Sequence, residues 1–339
     1  MSPKQAARPA KRSSTTPSFD KELAELDALK GATLDAAQIE YVRKTLAHRN
    51  NFLVSKAAKL AADAELFDLL PDVLEAFDRF FVDPVKTDPQ CWAKNALAKA
   101  LVKLEHRSKG VYLRGMRHHQ PEPVWGGSSD TAGALRGTCT HALVDCPGIS
   151  DADLLTALLD PLVDPDKTVR VEAARAIAQV GGTGAALVLR QRALLGKDEP
   201  EVMGACYSAL LSLEGAQAIP LVAAAMKEGD DLAGEAALAL ADVRTPEALA
   251  ALHERLRNGA DAWFASVLLS AIALTRLPEA TDLLIGLIAN DAREAPSAIE
   301  ALGRIAPSPE LRARVQAAVE QADSPRLRQA FREHLPLTE

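Results

Sequence analysis

Aromatic residues are scarce in this chain. Only 4% of it is Phe, Trp or Tyr, and Ala and Leu carry most of the apolar area. That scarcity disfavours a core built around large rings and favours closely packed helices, because Ala and Leu form helices well and small residues let axes approach. Runs rich in Val, Ile and Thr, the usual mark of strands, are missing. No apolar run nears the ~18 residues of a membrane span. No apolar signal-peptide core stands near the N-terminus either, so a cytoplasmic chain with no membrane partner is expected. Cysteine is also sparse: Cys91, Cys139, Cys146 and Cys206 form no CxxC pair, and three lie inside helical patterns among apolar neighbours. They read as small buried core residues in a reducing compartment.

What is present is sufficient for folding: 48% hydrophobic and 25% charged residues over 339 positions. The net charge of −7 is unevenly placed. Residues 1–145 hold 21 Lys and Arg against 18 Asp and Glu, whereas residues 146–339 hold 18 against 28. An acidic second half opposes wrapping of nucleic acid along the whole chain, which requires a continuous basic track. The first residues, MSPKQAARPAKRSSTTPS, are basic, rich in Pro and Ser, and almost without apolar side chains. Residues 1–17 are accordingly expected to form a disordered tail.

Hydrophobic spacing shows a repeat. Ser150 can cap a helix carrying Leu154, Leu155, Leu158, Leu159 and Leu162, and Asp164-Pro165-Asp166 ends it. A second helix from Val169 places Ala173, Ala176, Ile177 and Val180 on one stripe before Gly181-Gly182 stops it. The end of that second helix recurs at Leu213, Val243, Thr275 and Ile305. Two amphipathic helices in about 30–33 residues form a unit that buries its apolar face only on its neighbours. Upstream, Asn51–Ala64 and Cys91–Leu104 read as second helices and Leu66–Phe81 as a first helix, while Pro309–Leu335 reads as a charged terminal cap. Ten of the fourteen aromatics fall in the first 125 residues, so the early repeats are the bulkier ones.

The stretch DPDKTVRVEAARAIAQVGG, with Asp166 at the turn and Arg170 early in the second helix, resembles the HEAT repeat, in particular the short variety of bilin-lyase-like proteins. The resemblance is clearest over 150–306 and weaker over 34–147. It implies an all-α solenoid of about nine stacked helical hairpins in a superhelix, acting as an armadillo-like interaction scaffold. It does not imply lyase activity, since no motif for bilin chemistry is present. The repeats near 202, 234 and 265 lack the equivalent arginine, which breaks any continuous polar ladder. The organisation expected is a tail over 1–17, irregular repeats over 18–147 with an inserted loop at 120–131, and regular repeats with a cap over 148–339.

One segment departs from the repeat. From Leu101 to the equivalent Leu143 the spacing is 42 residues, and the excess lies in Gln120–Thr131, between a short helix over Val111–His119 and a second helix from about Ala132. Loops of this kind along a solenoid edge often carry binding. Lys103, Arg107, Lys109, Arg114 and Arg117 are basic, and Glu105 is the only acid from Lys94 through Gln120. His106, His118, His119 and His141 cluster there too. Tyr112 and Trp125 offer flat faces, and Gly126–Thr131 reads as a flexible turn whose last residues, including Asp130, suit a helix start. Arg136 lies one to two turns into that helix. Plainer readings stand beside these: the arginines as a solvated face, Trp125 as a plug holding the loop down, Asp130 as an ordinary cap. Cys139 and Cys146 share a helix face, but His141 points about 200° away from Cys139, which argues against a single metal site.

The leading expectation is a non-enzymatic protein–protein interaction scaffold with an anion- or peptide-binding edge over 103–136. Its contact residues would be Tyr112, Arg114, Arg117, His118, His119, Trp125, Asp130 and Arg136. A protein partner, a small anionic ligand or an acidic peptide would bind, and no cofactor or metal is implied. Two alternatives remain open. Some HEAT-like solenoids are DNA glycosylases, which would make this a nucleic-acid-binding chain despite its acidic half. An enzyme on a small anionic substrate would use His118 or His119 to carry a proton and Arg114 or Arg117 as a clamp.

Overall fold

The structure, a computed structural model, describes residues 17–336. The tail expected over 1–17 therefore lies outside the described residues, except for Pro17, which begins helix α1 (Pro17–Ala28). The chain divides into two compact units, 1–147 and 148–339.

In the first unit, α2 (Ala36–Leu46) and α3 (Asn51–Asp63) form a hairpin. A second pairs α4 (Leu70–Arg79) with α6 (Trp92–Lys103), with the single turn α5 (Pro84–Thr87) between them. A third pairs α7 (Lys109–Met116) with α8 (Gly133–Ala142). The second helices stack α3 on α6 and α6 on α8. Local sequence sets the boundaries. Asp35 and Gln38 close a reciprocal capping box at the start of α2, and the Asn50 side chain accepts from the Phe52 and Leu53 backbone at 3.0 and 3.2 Å. Gly115 lets α7 meet α8 closely, since a Cβ there would overlap Cys139 Sγ.

The second unit runs from α9 (Asp151–Leu162) and α10 (Lys167–Val180), through α11 (Gly182–Leu195) and α12 (Pro200–Glu214), to α13 (Ile219–Ala224) and α14 (Asp231–Val243). It continues with α15 (Pro246–Arg257), α16 (Ala262–Leu274), α17 (Pro278–Ala289), α18 (Ala295–Arg304), α19 (Pro309–Ala322) and α20 (Pro325–His334). Even-numbered helices pack in succession, α10 on α12 through to α18 on α20, and each odd-numbered helix packs on the one that follows it. The three hairpins of the first unit and six of the second make nine among the described residues. Each unit is thus an all-α solenoid.

Burial follows the stripe read from sequence. On α10, Val169, Ala173, Ala176 and Ile177 are fully buried, so truncating Ile177 to Ala costs about 2–5 kcal/mol. The caps are in place: Ser150 accepts from Asp153 N–H at 3.2 Å, Asp166 from Thr168 N–H at 2.8 Å, and Gly181 turns the chain at φ 78°. All four cysteines are free and buried.

Arg170 is nearly buried and joins successive repeats. Its guanidinium donates to both oxygens of Asp198, at 2.9–3.2 Å, to Glu199, and to the carbonyls of Asp164 and Pro165. Elsewhere the same task falls to arginines at other positions. Arg79 donates to the carbonyls of Leu46 and His48, Arg255 to those of Met226 and Lys227, and Arg326 to those of Asp291 and Ala292.

The expected absence of any span-length apolar stretch needs amending. Among the described residues, Pro200–Ala224 is long and apolar enough to cross a membrane. It is not one rod, however. Gly215 breaks it at φ 57° and ψ −132°, and α12 is sandwiched between α10 and α14.

Candidate functional site

The inserted segment is not the flexible turn expected from its Gly and Ser content. It folds into a β-hairpin, strand β1 (Pro121–Val124) against β2 (Gly127–Asp130), in the register Pro121↔Asp130 through Val124↔Gly127. Trp125 and Gly126 form the tip, with Gly126 at φ 87°, a turn position that glycine takes without strain. Prolines 121 and 123 are tolerated because each strand of a two-stranded ribbon has a free edge. The helices on either side adjust: α7 ends at Met116, short of His119, and α8 begins at Gly133.

Within β1 only Glu122 faces the body of the unit and is buried. Its carboxylate accepts from the Gln90 backbone N–H at 2.7 Å, from Gln120 Nε2 at 2.7 Å, from the Thr131 hydroxyl at 2.7 Å and from Gln90 Nε2 at 3.3 Å. Burial opposes the charge, and these donors outweigh it, holding the carboxyl below its usual range. The contact with Gln90 matters because Gln90 and Cys91 are both left-handed, at φ 63° and 54°, just before α6. Non-glycine residues in this region cost about 1–3 kcal/mol each and persist only where neighbours hold them.

Asp130 pins the other strand. It accepts from Gln120 N–H at 3.0 Å, Ala132 N–H at 2.9 Å, His119 Nδ1 at 2.9 Å and Arg136 at 2.7 Å. Partial burial works against ionisation, and the two backbone donors, His119 and Arg136 overcome it, so the carboxyl sits far below its ordinary value. Arg136 is fully buried and also donates to the His118 carbonyl at 3.2 Å. The helix-start N–H of Ala132 is thereby occupied by the chain's own carboxylate instead of standing open to an anion.

Beneath the hairpin lies a buried ion pair. Lys94 Nζ donates to Asp88 at 2.9 Å and to the Phe80 carbonyl at 3.2 Å, and both charged side chains are inaccessible to solvent. Asp88 also accepts from Ala93 N–H, Lys94 N–H and Asn51 Nδ2, and its carbonyl takes Gln120 Nε2 at 2.8 Å. One polar network thus runs from α3 through α6 to the hairpin base.

The eight residues singled out from sequence therefore have different surroundings. His118, His119, Asp130 and Arg136 come together at the hairpin base. Arg114 is ion-paired with Asp78 and lies 4.5 Å over the Phe81 ring, which His118 also touches. Tyr112 is a core residue whose hydroxyl donates to the His106 carbonyl at 2.7 Å, and burial raises its pKa beyond the usual phenol range. Arg117 is exposed, with no ion pair among the described residues. His118 is half-buried with its ring edge on Phe81, and desolvation lowers its pKa. Trp125 is fully exposed at the tip, with Val124 half-exposed beside it, so it does not plug the loop. Among the described residues no group of three or more His, Cys, Asp and Glu could hold a metal ion. Sequence reasoning missed Glu122, Gln90 and the Asp88–Lys94 pair. An acid flanked by prolines inside an insert was the available signal for Glu122.

Hairpins stacked second helix on second helix define an α-solenoid repeat protein. Residues 152–241 match the family model for HEAT repeats, so this part of the chain carries HEAT repeats. No curated protein matches it. HEAT repeats generally mediate protein–protein interaction.

Proposed function

We propose that this chain is a non-enzymatic protein–protein interaction scaffold whose 103–136 edge engages its partner through the hairpin tip. The observation that carries the reading is the contrast within one short segment. Trp125 is wholly exposed, yet Glu122 and Asp130 hold the hairpin base through eight hydrogen bonds. An exposed indole on a rigid support loses little entropy on binding, and Trp is among the residues most enriched at the centres of interfaces. Because Arg114 and Arg136 are neutralised internally, a protein or peptide ligand fits this edge better than a small anion, with Arg117 left to meet an acidic group.

The test compares affinity capture by wild type, Trp125→Ala and Arg117→Glu from the cells that make the protein, after circular dichroism establishes equal helicity. A protein retained by wild type and lost with Trp125→Ala is the expected result. Equal retention by all three removes the hairpin from the interface.

A further inference from the structure

The first unit holds a second surface that the hairpin does not use. Stacking α3 on α6 leaves a groove of about 640 Å³ between their outer faces. Phe52 and Trp92 close one end, their rings 5.4 Å apart and edge-on, and Trp92 is half-exposed. Lys56, Lys59, Lys99 and Lys103 line the walls over an alanine floor. The two helices are in matching register: Phe52 with Trp92, Lys59 with Lys99, and Asp63 with Lys103 are each 40 positions apart.

Positive charge in this groove exceeds negative, four lysines to one aspartate. Among the described residues Lys59, Lys99 and Lys103 form no ion pair. Lys56 lies 5.1 Å over the Phe52 ring and weakly lowers the pKa of Asp27, whose own partner is Lys30. Asp63 is the only acid lining the groove. Asn95 also lines it, and its buried side-chain oxygen has no hydrogen-bond partner. Several like charges held together around an idle amide are stabilised by an anionic ligand that also offers backbone polar groups.

We infer that this groove binds a short acidic peptide in extended form, with an apolar side chain against Trp92 and carboxylates facing Lys59, Lys99 and Lys103. The eleven-residue step from Trp92 to Lys103 spans ~16 Å of helix, which about five extended residues cover. Charge complementarity selects an acidic ligand, and the ring pair with its alanine floor selects one bearing an apolar anchor. A nucleic acid fits less well. Every cation here is Lys, whereas Arg is the residue suited to bidentate phosphate and nucleic-acid recognition. Four lysines also form a short track, on a chain whose net charge is −7.

The experiment uses the full chain with Trp125→Phe and Trp263→Phe, so that Trp92 is the sole indole. The probe is a fluorescein-labelled peptide of about eight residues, rich in Asp and Glu with one central Leu. Binding should shift Trp92 emission, weaken as salt rises, and fall roughly tenfold or more in Lys59→Glu/Lys99→Glu/Lys103→Glu, whose positions are exposed. Trp92→Ala should weaken anisotropy-detected binding as well, whereas Trp125→Ala should not, which separates this groove from the hairpin. Three results overturn the inference: no binding, equal binding by the charge-reversed variant, or tighter binding of single-stranded oligo(dT) than of the peptide.

Discussion

Glu122 in the hairpin accepts the backbone N–H of Gln90 at 2.7 Å, across 32 residues of sequence. One carboxylate thereby holds both the base of an inserted hairpin and the left-handed turn that launches α6. Removing it leaves the Gln90 N–H without its acceptor and takes one acceptor each from the Gln120 amide, which keeps the Asp88 carbonyl, and the Thr131 hydroxyl, which keeps the Gln120 carbonyl at 3.4 Å. Glu122→Ala is expected to destabilise the protein by about 1–3 kcal/mol, with faster amide exchange at Gln90 and Thr131. Protection unchanged at both positions contradicts this role.

Lys94 and Asp88 predict a larger effect. Removing one member of a buried ion pair strands the other, at about 3–5 kcal/mol. Lys94→Met should lower the unfolding midpoint strongly in denaturant titration, and Asp88→Asn added to it should restore part of the loss. A double variant no better than the sum of the single ones rules out direct coupling.

Acid should loosen the hairpin. The folded-state pKa values of Asp130 and Glu122 are both depressed, so each contributes stability that is present above the ordinary carboxyl pKa and is lost as pH falls through the folded value. His118 has the same sign, with its window below the ordinary imidazole pKa of about 6.5. Denaturation midpoints should therefore fall with acidification, and Asp130→Asn should flatten the lowest part of that curve. An unaltered acid limb in that variant contradicts the assignment.

Arg170 tests the joint between repeats. Its fork meets both oxygens of Asp198, and the carboxyl of Asp198 is held down to about 2, because hydrogen bonds from Glu199, Arg170 and Arg192 outweigh its burial. Lysine cannot reproduce the bidentate contact. Arg170→Lys should cost about 1–3 kcal/mol, read as earlier exchange of α10 and α12 amides than of α16 and α18. Uniform exchange across the second unit would separate Arg170 from the joint.

Much of the solenoid was legible because each hairpin repeats the same local decisions. Ser150 and Asp166 cap where they stand in sequence, Gly181 stops α10, and Ile177 lies on the stripe that its spacing marks. The inserted segment was legible only in position. Gly126, Gly127, Ser128 and Ser129 have loop composition, and they form a ribbon whose base Asp130 closes on donors two to eleven residues away and Glu122 ties to Gln90, 32 residues away, a contact that no local pattern encodes. Tyr112 and Arg114 carry types suited to binding, but α7 directs one into the core and the other onto Asp78 and Phe81. Arg79, Arg255 and Arg326 serve the repeat joints from positions that a fixed motif does not mark.

The most direct test of the scaffold reading places a benzoylphenylalanine photo-cross-linker at Trp125 and, as a control, at the exposed Leu187 of α11. Irradiation in the cells that make the protein should give a discrete adduct at position 125 that is absent at position 187, containing the protein whose capture Trp125→Ala abolishes. No adduct at 125, or the same adducts from both positions, contradicts the account.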